Sequence, residues 1–318
     1  MFLSALINKG ARIFGIKIGR TVSSLGNQFA AYGIEKNEYS VSKNEIYFKR
    51  LNISIPIEKA MPLLEGYENA IRLLNKSGVE FLVDQEKYLN IKIDNVQFKI
   101  NDEEELFILC EVFLEGSYNL TSSTNLPIAL IDIGMNVGIT SLFYAAQHNV
   151  NKVFSFEPFL PTYNMALQNI ALNKSIGHKI VSNNFGLAKD EATCFVPYSL
   201  SQKGRVGLNG LPDKSNKVKR VSEQQIILKA ATDQFLSIRD KTRENFIVCK
   251  IDCEGAEYEI IDALYAANLL DMPDVYFVEW HHKSPDEMVA KLVDAKFNVI
   301  NTTFRDLTAG MIYAVKNK

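Results

Sequence analysis

Leu130-Ile131-Asp132-Ile133-Gly134-Met135-Asn136-Val137-Gly138 is the stretch that decides the fold. An apolar run containing one acid ends at a glycine, and helical spacing takes over after Gly138. This reads as a buried strand entering a tight turn and then a helix. Gly134 permits the turn and a close approach of backbone to ligand. Asn136 tolerates left-handed backbone better than most residues. Gly138 lets helix and strand pack closely. The pattern is not G-x-G-x-x-G, because position 136 is Asn and position 139 is Ile. Asp132 stands where a dinucleotide-binding strand is apolar. An acid there suits a ligand with a cationic amino-acid group better than a pyrophosphate.

Outward from this stretch, short apolar runs alternate with helical patterns. Strands are expected over 128–133, 152–156, 179–183, 246–251 and 275–279. Helices are expected over 137–147, 162–172, 256–267 and 285–295. The runs 297–303 and 310–315 have no helix between them and form a terminal antiparallel hairpin. Alternating βα units with right-handed crossovers give a doubly wound, mostly parallel sheet, with ligands beyond the carboxyl ends of its strands. Before residue 120 the pattern is mixed. It predicts a helix over 57–76, a strand over 79–83, a hairpin of 89–93 with 96–100 across Asp94-Asn95, and a helix over 103–114 stopped near Gly116. The division expected is an N-terminal α+β appendage, 1–120, and a ligand-binding domain, 121–318. The appendage is surplus to cofactor chemistry and covers the substrate face or makes a homodimer contact.

Three further motifs lie at strand ends. In Phe154-Ser155-Phe156-Glu157-Pro158, Glu157 falls 23 residues after Gly134, where a carboxylate can accept two ribose hydroxyls. Lys250-Ile251-Asp252-Cys253-Glu254-Gly255-Ala256-Glu257 carries three acids into a helix start. Helix capping explains acids there, above all Glu257, while Asp252 and Glu254 are expected to border the reacting centre. Phe277-Val278-Glu279-Trp280-His281-His282 offers two histidines beside an acid, a source of a general base. His148 and His178 read as structural.

The 318 residues are 47% apolar, 23% charged and 10% aromatic, which excludes disordered, collagenous and small disulfide-scaffold classes. The charge is near balance, 35 Lys and Arg against 37 Asp and Glu, net −2, and gives no signal for nucleic acid. That total hides a basic stretch, 201–220, with net charge +5; the segment that holds it, 199–220, is read as a mobile lid suited to an acidic glycan or phosphorylated carrier, or else a solvated loop. A second basic stretch, up to Ile34, carries Lys9, Arg12, Lys17 and Arg20 without an acid. It is a poor signal peptide. Packing on the protein itself or a dimer partner is the expectation, with a membrane-surface helix as the alternative. Cys110, Cys194, Cys249 and Cys253 form no CxxC pair and read as reduced thiols. No apolar run reaches the roughly 20 residues of a membrane span, and a cytoplasmic location is expected.

Taken together, the D-x-G-x-N-x-G turn, the E-P strand end and the K-x-D-x-E-G-x-E stretch resemble the FkbM-type family of S-adenosylmethionine-dependent methyltransferases. Weaker matches are Glu111…Tyr118 and the acid-bearing Ala231–Leu236. The resemblance covers about two thirds of the chain and implies a Rossmann-like class I methyltransferase fold with a seven-stranded sheet. It implies O-methylation of a hydroxyl on a sugar, polysaccharide or polyketide-like acceptor, a small molecule or glycan. It places Asp132, Gly134, Asn136 and Gly138 on the methionine and backbone side of the cofactor and Glu157 on the ribose. Asn184 and Phe185 fall near the adenine, and Tyr118 and Asp252 complete the cofactor set. Met135 replaces a small residue and is expected to crowd the methionine side. The catalytic base is sought among His281, His282, Asp252 and Glu254. Mg²⁺ held by Asp252, Glu254 and Glu279 is the lesser alternative. Competing readings are a nicotinamide-dependent oxidoreductase, disfavoured by Asn136 and Ile139, and a cofactor-binding scaffold without turnover.

Overall fold

The structure, a computed structural model, describes residues 29–120, 124–199, 203–204, 206–207, 221–304 and 308–317. The basic segment up to Arg20 lies outside these residues. So does the basic stretch 201–220, apart from Lys203, Gly204, Val206 and Gly207. The chain divides into two compact units, 1–116 and 117–318.

In the first unit, strands β1 (Tyr39–Val41), β2 (Glu45–Phe48) and β3 (Ile53–Pro56) make an antiparallel sheet. A second antiparallel sheet contains β4 (Val79–Val83), β5 (Leu89–Ile93) and β6 (Val96–Lys99), the last two being the expected hairpin. The single helix expected over 57–76 is instead a 3-10 turn, Ile57–Lys59, and two helices, Met61–Glu65 and Tyr67–Leu74. The break falls at Gly66, where a Cβ would collide with the Leu106 side chain. The helix from Glu103 is capped by Asp102, whose carboxylate accepts from Glu104 N at 3.1 Å. Past Cys110 it widens into a π turn, Glu111–Glu115, and ends at Gly116 with φ +71°.

The second unit is built on a seven-stranded sheet. Its strands are β7 (Ile128–Ile133), β8 (Val150–Phe156), β9 (Ile180–Asn183), β13 (Phe246–Ile251), β14 (Val275–His281), β15 (Phe297–Thr303) and β16 (Ala309–Lys316). Their spatial order is β15-β16-β14-β13-β7-β8-β9. The neighbours from β14 to β9 are parallel, and β16 runs antiparallel to both β14 and β15. The order reverses beside β7, so the switch point lies between β7 and β13. Ile133 is in register with both Ile251 and Phe156, so the turns after these three strands open at one level.

Alternation along each strand sorts the side chains. Ile131, Ile133, Cys249, Ile251, Tyr276 and Val278 face one core, which includes Phe235, Ile260, Leu264, Met288 and Leu292 from helices Ala231–Lys241, Glu257–Ala266 and Asp286–Asp294. Each such side chain contributes about 1.5–3 kcal/mol by leaving water. The opposite alternation carries polar groups. Asp132 is in register with Lys250 on one side and Ser155 on the other, and Ser141 of helix Ile139–Ala145 closes over them.

A small third sheet went unread in the sequence. It consists of β10 (Gly186–Ala188), β12 (Ser222–Ala230) and β11 (Ala192–Tyr198), in that spatial order. Its inner residues Val196, Tyr198, Ile226 and Leu228 pack with Phe159, Ala188 and Val206. Among the described residues no helix is long and apolar enough to cross a membrane.

Candidate functional site

A cleft opens beyond the carboxyl ends of β7, β8 and β13. Gly134, Asn136, Glu157, Asp252 and Glu254 line it, with Gly186 and Leu187 at one side. Ile226, Leu228 and Val206 supply an apolar wall, and the buried Lys203 reaches it too.

The glycine turn is built on left-handed backbone. Gly134, Asn136 and Gly138 have φ of +82°, +51° and +85°. A Cβ on Gly134 would overlap the carbonyl oxygen of Asp252, so the first and third motifs touch through a glycine. At Gly138 the reason differs from the one expected. A Cβ there would meet Ala166 at an ordinary 3.5 Å, so its backbone angle requires glycine and packing does not. Met135 is buried and does not line the cleft, so it does not crowd it.

Glu157 sits at the end of β8, 5% exposed, and accepts the backbone N–H of Asn136 and of Phe159, each at 3.0 Å. Burial pushes its pKa up to about 7, against these two N–H groups, which favour the charged form. The side-chain oxygen of Asn136 is buried without a hydrogen-bond partner among the described residues. A donor on a ligand in the cleft would satisfy it.

Asp132 corrects the sequence reading. It is wholly buried and absent from the cleft lining. Ser141 donates to it at 2.5 Å, and the ammonium of Lys250 stands 3.5 Å away. The cation that this acid serves is internal. Asn184 and Phe185 are also corrected, for neither lines the cleft. The Asn184 amide donates to the carbonyls of Glu157 and Pro158, and Phe185 packs at a tilt against Phe156 with ring centroids 5.5 Å apart. They brace the loop that leads to Gly186 and Leu187, which do line the cleft. Tyr118 is buried off the cleft, its hydroxyl 3.4 Å from Glu279 and its ring 6.1 Å from Phe277.

Behind the cleft lies an acid-rich cluster centred on His281. Its Nδ1 is 2.5 Å from Glu257, and its Nε2 is 3.4 Å from Glu279 and 3.9 Å from Glu254. Burial acts to lower the His281 pKa. Bonds to Glu257 and Glu279 and the charges of Glu254 and Asp252 outweigh it and hold the value up at about 11. His281 is therefore an imidazolium, a donor rather than a proton acceptor. Burial, and then Asp252, raises Glu254 to about 8. Glu279 is raised by the same two causes. His282 leaves the set of catalytic candidates. Period-two alternation directs 279 and 281 to one face, while His282, beyond the strand at φ +65°, is exposed. The atoms that converge within 4.8 Å belong to Asp252, Glu279 and His281, not to the three acids expected for Mg²⁺. Lys250, 3.3 Å from Asp252, already brings positive charge there.

Two residues were given too little weight in the sequence. Lys250 is the partner of Asp132, and a lysine in an apolar strand beside a strand bearing that acid is a readable signal. Glu257 caps locally, accepting Gly255 N at 2.5 Å, but its second oxygen holds His281. All four cysteines are free thiols.

The family model for the methyltransferase FkbM domain matches residues 132–299, just over half of the chain. The chain belongs to the FkbM methyltransferase family. The match begins at Asp132 and contains the glycine turn, Glu157, Asp252, Glu254 and His281. Among curated relatives of this FkbM domain, methyltransferase sdnD of Sordaria araneosa is 24% identical over 52% of this chain and 70% of its own. Methyltransferase 1 of Beauveria bassiana is 23% identical over 50% of this chain and 66% of its own. Among solved structures, the methyltransferase FkbM of Methylobacillus flagellatus aligns at 14% identity and a TM-score of 0.40. That alignment covers 67% of this chain and 52% of the other, so the chain spans about half the length of that relative.

Proposed function

We propose that this chain transfers a methyl group from S-adenosylmethionine to a hydroxyl of a small-molecule or glycan acceptor. The observation that carries the reading is Glu157. It is a buried carboxylate, fixed by two backbone N–H groups at the second strand end, and it opens on the cleft beside the unpartnered oxygen of Asn136. These are acceptors in search of donors, and ribose hydroxyls are such donors. The rigid turn of Gly134 and Asn136 brings backbone to the cleft without a side chain in the way.

When bound, the sulfonium cofactor supplies an electrophilic methyl group. The protein's part is alignment, exclusion of water and a place for the hydroxyl proton. Asp252 and Glu254 line the cleft, whereas His281 lies behind them as an imidazolium. Proton acceptance therefore falls to a carboxylate; Glu254, whose pKa burial raises to about 8, serves as the base in its ionised form, which prevails above that pH. His281 sets its charge and Glu257 fixes His281.

Titration calorimetry with S-adenosylmethionine and with NAD tests the cofactor. Binding of the first and not the second is expected, and the reverse would overturn the reading in favour of an oxidoreductase. Mass spectrometry of candidate hydroxylated acceptors, looking for the gain of one methylene unit, tests turnover. Cofactor binding with no product on any acceptor would favour a scaffold. The first unit and the basic stretch 201–220 carry the acceptor specificity in this reading.

A further inference from the structure

Lys250 is a charged residue next to the carboxyl end of a parallel strand, its side chain 4% exposed. Two residues back on the same face, the pair in register along β7 and β13 is apolar, Leu130 beside Val248. An apolar residue at 250 opposite another at 132 would continue that core. Buried ion pairs contribute little net stability compared with well-packed apolar ones. A role beyond pairing with Asp132 is therefore required to explain the lysine.

Its surroundings supply that role. The ammonium donates to the carbonyl oxygen of Gly134 at 2.6 Å, and stands 3.3 Å from Asp252 Oδ2 and 3.5 Å from Asp132 Oδ1. One N–H is bonded to the carbonyl, and the two carboxylates stand at ion-pair distance. Two of the three acceptors belong to residues that line the cleft, and they come from two different strand-end turns. Those turns already touch where Gly134 meets the Asp252 carbonyl, so a shift of either displaces the other. The face of the Tyr118 ring, with its centroid 5.9 Å from Nζ, borders the ammonium on another side.

We infer that Lys250 is a positioning residue for the cofactor: its ammonium locks the Gly134 turn to the Asp252 carboxylate and so holds the methionine end of the cleft in its binding geometry. The inference rests on the S-adenosylmethionine reading above. Asp132 then serves the cofactor only indirectly, by keeping Lys250 charged and aimed.

Lys250→Met alone strands two carboxylates and is expected to unfold the unit. Lys250→Met combined with Asp132→Asn removes one charge of each sign and is the informative variant. Thermal unfolding, calorimetric affinity for S-adenosylmethionine, and the KM values for cofactor and acceptor are measured on the full chain. The double variant should fold, bind S-adenosylmethionine about tenfold more weakly or worse, and raise the cofactor KM while sparing the acceptor KM. A folded double variant with wild-type affinity overturns the inference. So does an equal rise in both KM values, which a loosened scaffold would give. A wild-type chain that is folded yet binds no S-adenosylmethionine instead overturns the cofactor reading, and the inference falls with it.

Discussion

Nδ1 of His281 lies 2.5 Å from a carboxylate oxygen of Glu257, a residue with no exposed surface. The other Glu257 oxygen accepts the N–H of Gly255 at 2.5 Å. One buried acid thus ties the helix start to the end of the neighbouring strand. Glu257→Ala leaves a buried imidazolium and an orphaned N–H, and should destabilise by about 3–5 kcal/mol. Glu257→Gln keeps one acceptor and should cost about 1–2 kcal/mol. Urea unfolding followed by circular dichroism separates the two. Equal losses would mean that the charge plays no part.

The same cluster predicts how stability depends on pH. His281 has a folded pKa of about 11 against an ordinary 6.5, so its contribution is full below about 6.5 and is lost as pH rises through about 11. Glu254, at about 8 against 4.5, holds a proton that the unfolded chain has released between those values, so stability falls with rising pH across that window too. Both slopes have one sign. The melting temperature should decline steadily from mildly acidic to alkaline pH, and His281→Gln should flatten the alkaline limb. A melting temperature that climbs with pH would contradict the electrostatic account.

Glu157 must be ionised to accept ribose hydroxyls, and burial holds its pKa near 7. Affinity for S-adenosylmethionine should therefore rise with pH up to about 8 and level off, with a limiting slope of about tenfold per unit. Glu157→Gln should weaken binding about tenfold or more and remove this dependence. Calorimetry across a buffer series checks both.

Two glycines in one turn should respond very differently to alanine. Gly134→Ala forces a Cβ into the Asp252 carbonyl and should cost at least about 3 kcal/mol, with loss of cofactor binding. Gly138→Ala meets only ordinary contacts and bears the backbone strain alone, about 1–2 kcal/mol. Thermal melts of the two variants give the contrast.

His282→Ala should leave stability within about 0.5 kcal/mol of wild type, since the side chain is exposed beyond the strand. Turnover should be unaffected as well. A strong loss of turnover would return His282 to the site.

The residues explain which parts of this molecule could be read in advance. β7 and β13 match their expected limits because parallel strands buried on both faces are continuous apolar runs bounded by polar turns. The helix after Gly138 starts at Ile139 rather than 137, because left-handed residues at 136 and 138 delay it. The sheet of β10, β12 and β11 escaped notice because half of each longer strand faces outward and a long insertion separates the pair. In the site, acids at strand ends were legible from local pattern. Their partners were not, since Lys250 meets Gly134 and His281 meets Glu257 only after the strands have paired.

The strand order sets a timetable for assembly. β15 joins the sheet only through β16, and His281 sits in register with Ala309 at the start of that strand. As a growing chain leaves the ribosome, every residue of the glycine turn, Glu157 and Asp252 emerges before β16 does. Until then, β14, which carries Glu279 and His281, has an open edge and one strand fewer to hold its pitch. The part of the cleft around Gly134 and Glu157 can mature during synthesis, whereas the cluster around His281 waits for the last strand to slot between its neighbours.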